Sequence, residues 1–286
     1  MTVKKKKILK ILALVLALCL LGGLGWFANG LVGNPVSRLL AKRALENYVE
    51  QTYSHLDLKT ERFGFDFKSG GYCAYVRAEG SLDTAFYIDM DMLGHVTYDS
   101  YDTWVTSKMN TERRVEEQYR QMAKSVLDSS GFIYESDIKG GTLEFAQDWE
   151  WGDERDHSYA IPREELIMDK EYSLGEVRRM GARAGILTVY VQEDTVTVER
   201  AAQIMLHIKQ LFDAEEVPFY RMDFVLQYPK PEDGSPWPEG DVRAELLYEE
   251  IIPEGLAERI RKSHESIYAK FAEMDKEKGI VSPSND

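Results

Sequence analysis

Residues 11–33 read ILALVLALCLLGGLGWFANGLVG and contain no charged side chain. As an α-helix at about 1.5 Å per residue, this stretch reaches roughly 35 Å, enough to cross a hydrocarbon core about 30 Å thick. Residues 1–10 hold five lysines, at positions 4–7 and 10, and no acidic residue. Because basic flanks stay in the cytoplasm, we expect residues 1–10 to be a cytoplasmic tail and residues 11–33 a transmembrane signal-anchor in the lipid bilayer. Residues 34–286 are then extracytoplasmic.

Two other interpretations of this segment remain open. A cleaved signal peptide would use the small residues of Ala28-Asn29-Gly30, and a lipoprotein signal would use Cys19. The apolar run is longer than the roughly 7–15 residues of a secretory signal core, which favours a retained anchor. Leu18 also occupies the position where a lipoprotein signal needs a small residue. Trp26 and Phe27 lie where an outer aromatic belt is expected.

Composition restricts what the exported part can bind. The chain carries −14 overall, and without the five leading lysines residues 34–286 have 30 basic and 49 acidic residues, a net charge of −19. Such a surface repels nucleic acid, so no nucleic-acid partner is expected. Cys73 is the single exported cysteine, which excludes an intramolecular disulfide there. Its aromatic, strand-like surroundings indicate a buried thiol.

Residues 34–130 are predicted to form an α+β lobe of helix, four-stranded antiparallel meander and helix. Asn34 as N-cap and Pro35 at the first position begin a helix that runs to about Tyr53. The fourth strand is predicted over residues 95–105, and the second helix begins at Asn110 or Thr111. The first helix is expected to bury one stripe of large side chains: Val36, Leu39, Leu40, Tyr48 and Val49.

The rest of the chain is predicted as a linker followed by a second lobe. Residues 131–172 are expected to be a linker with one or two short strands. Residues 173–286 are predicted as an α/β lobe in the order helix, strand, helix, strand, strand, helix, which begins with a Ser173–Glu176 capping box. The last helix is expected to bury Leu256, Ile260, Ile267, Phe271 and Met274. The fold class is therefore α+β, with one transmembrane helix and two sheet-plus-helix lobes.

The order of these features resembles a known family. The lysine-led anchor is followed by Asn34-Pro35-Val36-Ser37, by a tyrosine-rich meander that ends in Tyr98-Asp99-Ser100-Tyr101, and by the 110–114 helix start. The strand at 186–193 and its helix are similar as well. Together they resemble the YfjL-like family of membrane-anchored proteins of Gram-positive bacteria. The resemblance implies an exported two-lobed α+β protein and brings no catalytic residues with it.

The sequence carries no familiar catalytic or cofactor motif. HExxH, GxSxG, CxxC and GxxxxGK are all absent, so no catalytic residue and no cofactor is predicted, and an enzymatic role stays uncertain. One weak metal-site candidate comes from a strand and its turn: Asp89, Asp91 and His95. Carboxylates two residues apart on a strand share a face, where with a histidine they could hold a cation. A solvated strand face is the plainer interpretation.

Two predicted loops have an unusual composition. One holds six acidic or histidine side chains interleaved with Trp149 and Trp151: Asp148, Glu150, Asp153, Glu154, Asp156 and His157. Its spacing differs from that of an EF-hand loop, and we expect a surface loop whose tryptophans dock on the body. The other is the proline-rich loop 229–240, in which Trp237 is a candidate for an exposed contact.

These features predict a membrane-anchored extracytoplasmic protein that acts as a non-catalytic binding or envelope-organising module. An envelope protein is the partner expected for such a module. The alternative is an extracytoplasmic cation-dependent hydrolase that uses one of the two acidic clusters. A sensor subunit would need a membrane partner, because a tail of about ten residues is too short to fold.

Overall fold

A computed structural model of the chain describes residues 3–146, 158–231, 235, 238 and 240–277. The chain divides into two compact units, Met1–Thr111 and Glu112–Asp286. Each unit contains a four-stranded sheet covered by helices. The predicted α+β class, with a long apolar helix in front of two sheet-plus-helix bodies, is confirmed.

Helix α1 (Val3–Val32) contains the apolar run and begins inside the lysine-rich tail. Its large apolar side chains between Ile11 and Phe27 are 52–79% exposed, so neither core covers them. In the described part of the chain, one helix is long and apolar enough to cross a membrane. Gly33 ends α1 with a φ of +69°, a value that glycine adopts without steric cost.

Helix α2 (Pro35–Thr52) begins as predicted, since the Asn34 side chain accepts the N–H of Ser37 at 2.9 Å. The predicted buried stripe is wrong in its first half. Ser37, Ala41 and Leu45 are buried, whereas Val36, Leu39 and Leu40 are exposed. Small residues four apart let the helix lie close to the sheet, and this contact turns the larger side chains outward. Tyr48 and Val49 do pack against the core.

The first sheet is an antiparallel meander in the order β1-β2-β3-β4. Its strands are β1 (Leu58–Asp66), β2 (Gly71–Ala78), β3 (Ala85–Met90) and β4 (Val96–Asp99). One face of the sheet packs against α2 and the turn after β4 to form the core of the unit, whose buried side chains are Ala41, Leu45, Tyr53, Tyr72, Ala74, Val76, Phe86, Ile88, Met90 and Val105. Because side chains alternate along a strand, the β2 and β3 members of this core point to the same face of the sheet.

Strand β4 is shorter than the predicted 95–105. The Asp99 carboxylate accepts the N–H of Tyr101 at 2.8 Å, a side-chain bond that offers the backbone an alternative to the ladder. A π-helical turn at Asp102–Thr106 follows and places Val105 in the core. The tyrosine-rich stretch therefore ends in a helical turn instead of continuing as a strand.

Helix α3 (Met109–Leu127) belongs mainly to the second unit. From the sequence, this helix is assigned to the first lobe, which is predicted to extend to residue 130. The boundary between the two compact units instead falls between residues 111 and 112. Tyr119 explains the difference. Its ring is fully buried in the second core, and its hydroxyl donates to the carbonyl of Pro218 at 3.0 Å.

The second sheet has the order β5-β6-β7-β8. Its strands are β5 (Glu135–Leu143), β6 (Gly185–Gln192), β7 (Arg221–Gln227) and β8 (Asp241–Leu247). Strands β6 and β7 are parallel and the other two pairs are antiparallel. A parallel pair needs a crossover, which α5 (Val198–Ala214) supplies after its Thr197 cap.

The predicted linker 131–172 contributes to this second core. Strand β5 pairs with β6 over most of its nine residues, and Phe145 bridges to Ile161. Leu166 and Tyr172 are buried in the same cluster. Helix α4 (Leu174–Ala184) then begins at the predicted capping box, with Ser173 Oγ and Glu176 bonded reciprocally.

Helix α6 (Leu256–Glu277) covers the free edge of β8. Ser263 accepts the N–H of Glu245 at 2.9 Å, and His264 Nδ1 accepts that of Arg243 at 3.2 Å. Leu256 and Ile260 are buried as predicted. The prediction is wrong for two side chains further along, Phe271 and Met274, which are exposed. Phe271 lies against the Arg243 guanidinium rather than against apolar core.

Candidate functional site

Two members of the sequence-predicted metal candidate meet in the turn after β3. Asp91 Oδ1 accepts the N–H groups of Leu93 and His95, both at 2.8 Å, and Oδ2 lies 2.8 Å from His95 Nδ1. The N–H of His95, followed by its ring, lowers the pKa of Asp91. The carboxylate is therefore occupied in shaping the turn.

The third member, Asp89, lies on β3 and faces β2. It interacts with the Cys73 thiol, its partner across the strands. Burial, with the hydrogen bond and charge of Asp89 second, raises the pKa of Cys73 to about 12. Among the described residues, no group of three or more histidine, cysteine or acidic side chains could hold a metal ion. The structure thus pairs Asp91 with His95 and leaves Asp89 with Cys73.

Both loops selected by composition fall largely outside the described residues. The acidic cluster at positions 148–157, with Trp149 and Trp151, lies there entirely. Trp237 of the proline-rich loop lies outside them too. At the start of that loop, the N–H of Lys230 donates to Gln192 Oε1 at 3.4 Å.

The tyrosine-rich motif at the end of the meander forms a polar junction between α2 and β4. Asp99 Oδ2 accepts the hydroxyls of Tyr48 at 2.8 Å and Tyr53 at 2.7 Å. Ser100 Oγ accepts the N–H of Tyr87 at 2.7 Å and donates to its carbonyl at 3.1 Å. Burial, followed by the Asp99 carboxylate, raises the pKa of both tyrosines. The motif therefore ties α2 to β3 and β4 within the first unit.

The second unit contains an apolar cavity beside Tyr248 that the sequence did not indicate. Its volume is 440 Å³, and its lining is mainly apolar and aromatic: Ala182, Pro218, Phe219, Tyr220, Leu247, Tyr248 and Glu249. A neighbouring cavity of 380 Å³ shares Ala182, Pro218 and Tyr248 with it. Concave apolar surfaces of this size with a few polar groups are typical of ligand sites.

Tyr248 is held firmly between the two cavities. Its hydroxyl donates to Asp213 at 2.7 Å, and the Lys209 ammonium lies 3.8 Å from its ring centre. Lys209 also donates to the carbonyls of Tyr248 and Ile251 at 2.9 and 3.0 Å. A fixed ring gives the cavity a stable wall, which lowers the entropic cost of binding.

Charged groups border the second cavity. Arg178 pairs with Glu216 at 3.1 Å, and its Nε atom is buried with no hydrogen-bond partner among the described residues. Arg179 lies beside it. No local motif predicts this site, because its walls come from α4, from residues 218–220 before β7, and from the end of β8 with the 3-10 turn Tyr248–Glu250, which are far apart along the chain.

Comparison with known proteins identifies the first unit. Residues 5–100 match the family model described as the YfjL-like N-terminal domain. The chain carries a YfjL-like N-terminal domain. This finding confirms the resemblance for α1, α2 and the first sheet, up to the Asp99–Ser100 junction. No curated protein and no solved structure matches the chain. The Tyr248 cavities lie outside the YfjL-like match.

Proposed function

We propose that this protein is a membrane-anchored extracytoplasmic module that binds a partner and does no chemistry of its own. One observation carries the anchoring: the side chains of α1 between Ile11 and Phe27 are exposed while both sheets have packed cores. A continuous exposed apolar surface of this length would make a water-soluble protein aggregate. A bilayer covers such a helix completely.

The charge distribution supports the orientation. Five lysines precede the apolar run, which favours a cytoplasmic N-terminus. The two units then lie outside the cell. Their net charge of −19 favours solubility outside the membrane.

The Tyr248 cavity is the proposed partner site. Its floor of Pro218, Phe219 and Tyr220 fits an apolar or aromatic group of a partner. Glu249 in its lining, and Arg179 in the lining of the neighbouring cavity, can orient polar atoms of that partner. Apolar anchors that enter a pocket with a polar rim carry most of the energy in protein interfaces.

Anchoring is tested by alkaline carbonate extraction and by protease added to intact cells. The native chain should stay with the membrane pellet, and both units should be digested while a cytoplasmic marker survives. The double variant L16R/L20R places two charges in the centre of α1 and should move the protein to the soluble fraction. A native chain that is released by carbonate, or is protected from protease, would contradict the proposal. N-terminal sequencing of the mature chain distinguishes cleavage at Ala28-Asn29-Gly30.

Partner binding is tested by photo-crosslinking on intact cells. A photoreactive amino acid replaces Glu249 at the cavity, and Glu265, an exposed residue on α6, serves as the matched control position. A discrete adduct is expected at position 249 and not at 265. The substitution A182L fills the cavity wall and should remove the adduct. Equal adducts at both positions, or an adduct that survives A182L, would exclude this cavity as the partner site.

A further inference from the structure

One end of the first sheet lies directly beside the end of α1. Gly33 is buried against the start of β2, so that a Cβ there would lie 2.5 Å from the Tyr72 hydroxyl. That hydroxyl donates to the carbonyl of Asn34 at 3.0 Å and lies 2.9 Å from Ser37 Oγ. The β1–β2 turn, residues 67–70, precedes β2 at this same end.

The β3–β4 turn, residues 91–95, shares that end. Tyr72 pairs with Met90, the last residue of β3, so this turn lies beside the first one. A Cβ on Gly94 would lie 2.9 Å from the carbonyl oxygen of Leu40, which places the turn against the second turn of α2. Two hairpin turns and the start of α2 therefore surround the exit of α1.

This end of the YfjL-like domain exposes large apolar side chains. Phe67 at the tip of one turn is 62% exposed, and Leu93 at the tip of the other is 70% exposed. On α2, Val36 is 69% exposed, and Leu39 and Leu40 are exposed as well. We call Val36, Leu39, Leu40, Phe67 and Leu93 the anchor-side face. Their clustering accounts for the α2 side chains that do not enter the core.

The charge at this end is opposite to that of the protein as a whole. Residues 34–43 contain Arg38, Lys42 and Arg43 and no acidic residue, and Lys68 lies in the first turn. All four side chains are exposed. The acidic groups here, Asp66 and Asp91, accept backbone N–H groups of their own turns. Basic groups around an apolar patch are the pattern that anionic lipid headgroups attract.

We propose that the anchor-side face lies in the headgroup region of the bilayer that holds α1, so that the domain rests on the membrane surface. The inference depends on the proposed anchoring. Val36 follows Val32 by four residues and is separated from it by the short Gly33–Asn34 link between the two helices, so it lies close to the end of α1. The headgroup region on each side is about 5–8 Å thick. The apolar tips are thus placed where acyl chains meet headgroups, and the basic residues where phosphates lie.

The experiment uses the full chain in liposomes of phosphatidylcholine and phosphatidylglycerol. A photoreactive amino acid replaces Phe67 or Leu93, and lipid adducts are counted by mass spectrometry after illumination. Leu82 is the matched control, because it is an exposed leucine in the β2–β3 turn at the other end of the sheet. Leu20 in the middle of α1 reports the anchor itself.

Lipid adducts at positions 67 and 93 should exceed those at position 82 several-fold, and R38E/K68E should lower them. Adducts at position 20 without any excess at 67 and 93 would overturn this inference and leave the anchor intact. An absence of adducts at all four positions would overturn the anchor as well. Equal yields at positions 67, 93 and 82 would show unspecific contact and also contradict the inference.

Discussion

Tyr53 donates its hydroxyl to Asp99 Oδ2 at 2.7 Å, which joins the residue after α2 to the last residue of β4. Tyr48 donates to the same oxygen, and the N–H of Tyr101 to the other. One half-buried carboxylate thus satisfies three donors, one from α2, one from the residue after it and one from the turn after β4. Hydrogen bonds to a charged acceptor are stronger than those between neutral groups, so this contact should stabilise the YfjL-like domain.

The substitution D99N should weaken the junction. An amide keeps one acceptor oxygen and presents an NH₂ donor to groups that also donate, so at least one bond is lost. We expect the opening free energy of α2 and β4 to fall by about 1–3 kcal/mol. Hydrogen exchange on the full chain in detergent measures it peptide by peptide. The control Y98F should change nothing, because Tyr98 is half exposed and its hydroxyl has no partner among the described residues. Equal protection in D99N and Y98F would contradict a stabilising role for Asp99.

Alkaline pH should destabilise the same junction. Burial first, and then the hydrogen bond to Asp99 and its charge, raise the pKa of Tyr48 and Tyr53 above their usual value near 10. The two hydroxyls therefore hold their protons more tightly in the folded state than in the unfolded state. Their contribution to the free energy of unfolding is complete below about pH 10 and is lost as the pH rises through their folded-state pKa values. The urea midpoint of the full chain should fall above about pH 10. It should fall less in Y48F/Y53F, which lacks both groups, and identical pH profiles would contradict the assignment.

Local signals in the sequence predicted most of the elements. The uncharged run gave α1, Asn34-Pro35 gave the start of α2, and the Ser173–Glu176 pair gave the start of α4. Each of these signals depends on residues only a few positions apart, so the packing of distant segments does not change where these helices begin. The four-stranded antiparallel meander predicted for the first lobe is present as well.

The sequence-based predictions are wrong where contacts between residues far apart in the chain determine which side chains are buried. Periodicity shows that α3 has a buried face but not which sheet covers it, and Tyr119 assigns it to the second unit. On α2, large apolar residues were expected inside, yet the close approach at Ala41 turned them outward. The Tyr248 cavity is formed by segments far apart in sequence, so no local motif could have predicted it.

Cys73 should be a slow nucleophile. Burial, with Asp89 second, raises the pKa of its thiol to about 12, so little thiolate exists near neutral pH. In a C19S background, iodoacetamide should modify it far more slowly than a free cysteine. D89N removes the carboxylate charge that raises the pKa of Cys73 and should increase the rate of alkylation. D91N, in the adjacent turn, should leave that rate unchanged. Modification of native Cys73 at the rate of a free thiol would contradict this description.

Two glycines of α4 should respond oppositely to alanine. A Cβ on Gly181 would lie 2.4 Å from the Tyr119 ring and 2.7 Å from the carbonyl oxygen of Pro218, whereas one on Gly175 would meet no atom closer than 3.9 Å. In an open helix, Gly→Ala stabilises by up to about 1 kcal/mol. The ring of Tyr119 cannot move aside, because it is fully buried and its hydroxyl is bonded to Pro218.

G181A should therefore destabilise α4 and β6 by about 1–3 kcal/mol through overpacking. G175A should leave their stability unchanged or raise it. Hydrogen exchange of the α4 and β6 peptides in the full chain measures both variants under identical conditions. Since the two changes add the same methyl group to the same helix, the difference reports the contacts of position 181 with Tyr119 and with the Pro218 carbonyl. A stabilising G181A would show that α3 does not press on α4 as closely as the structure has it.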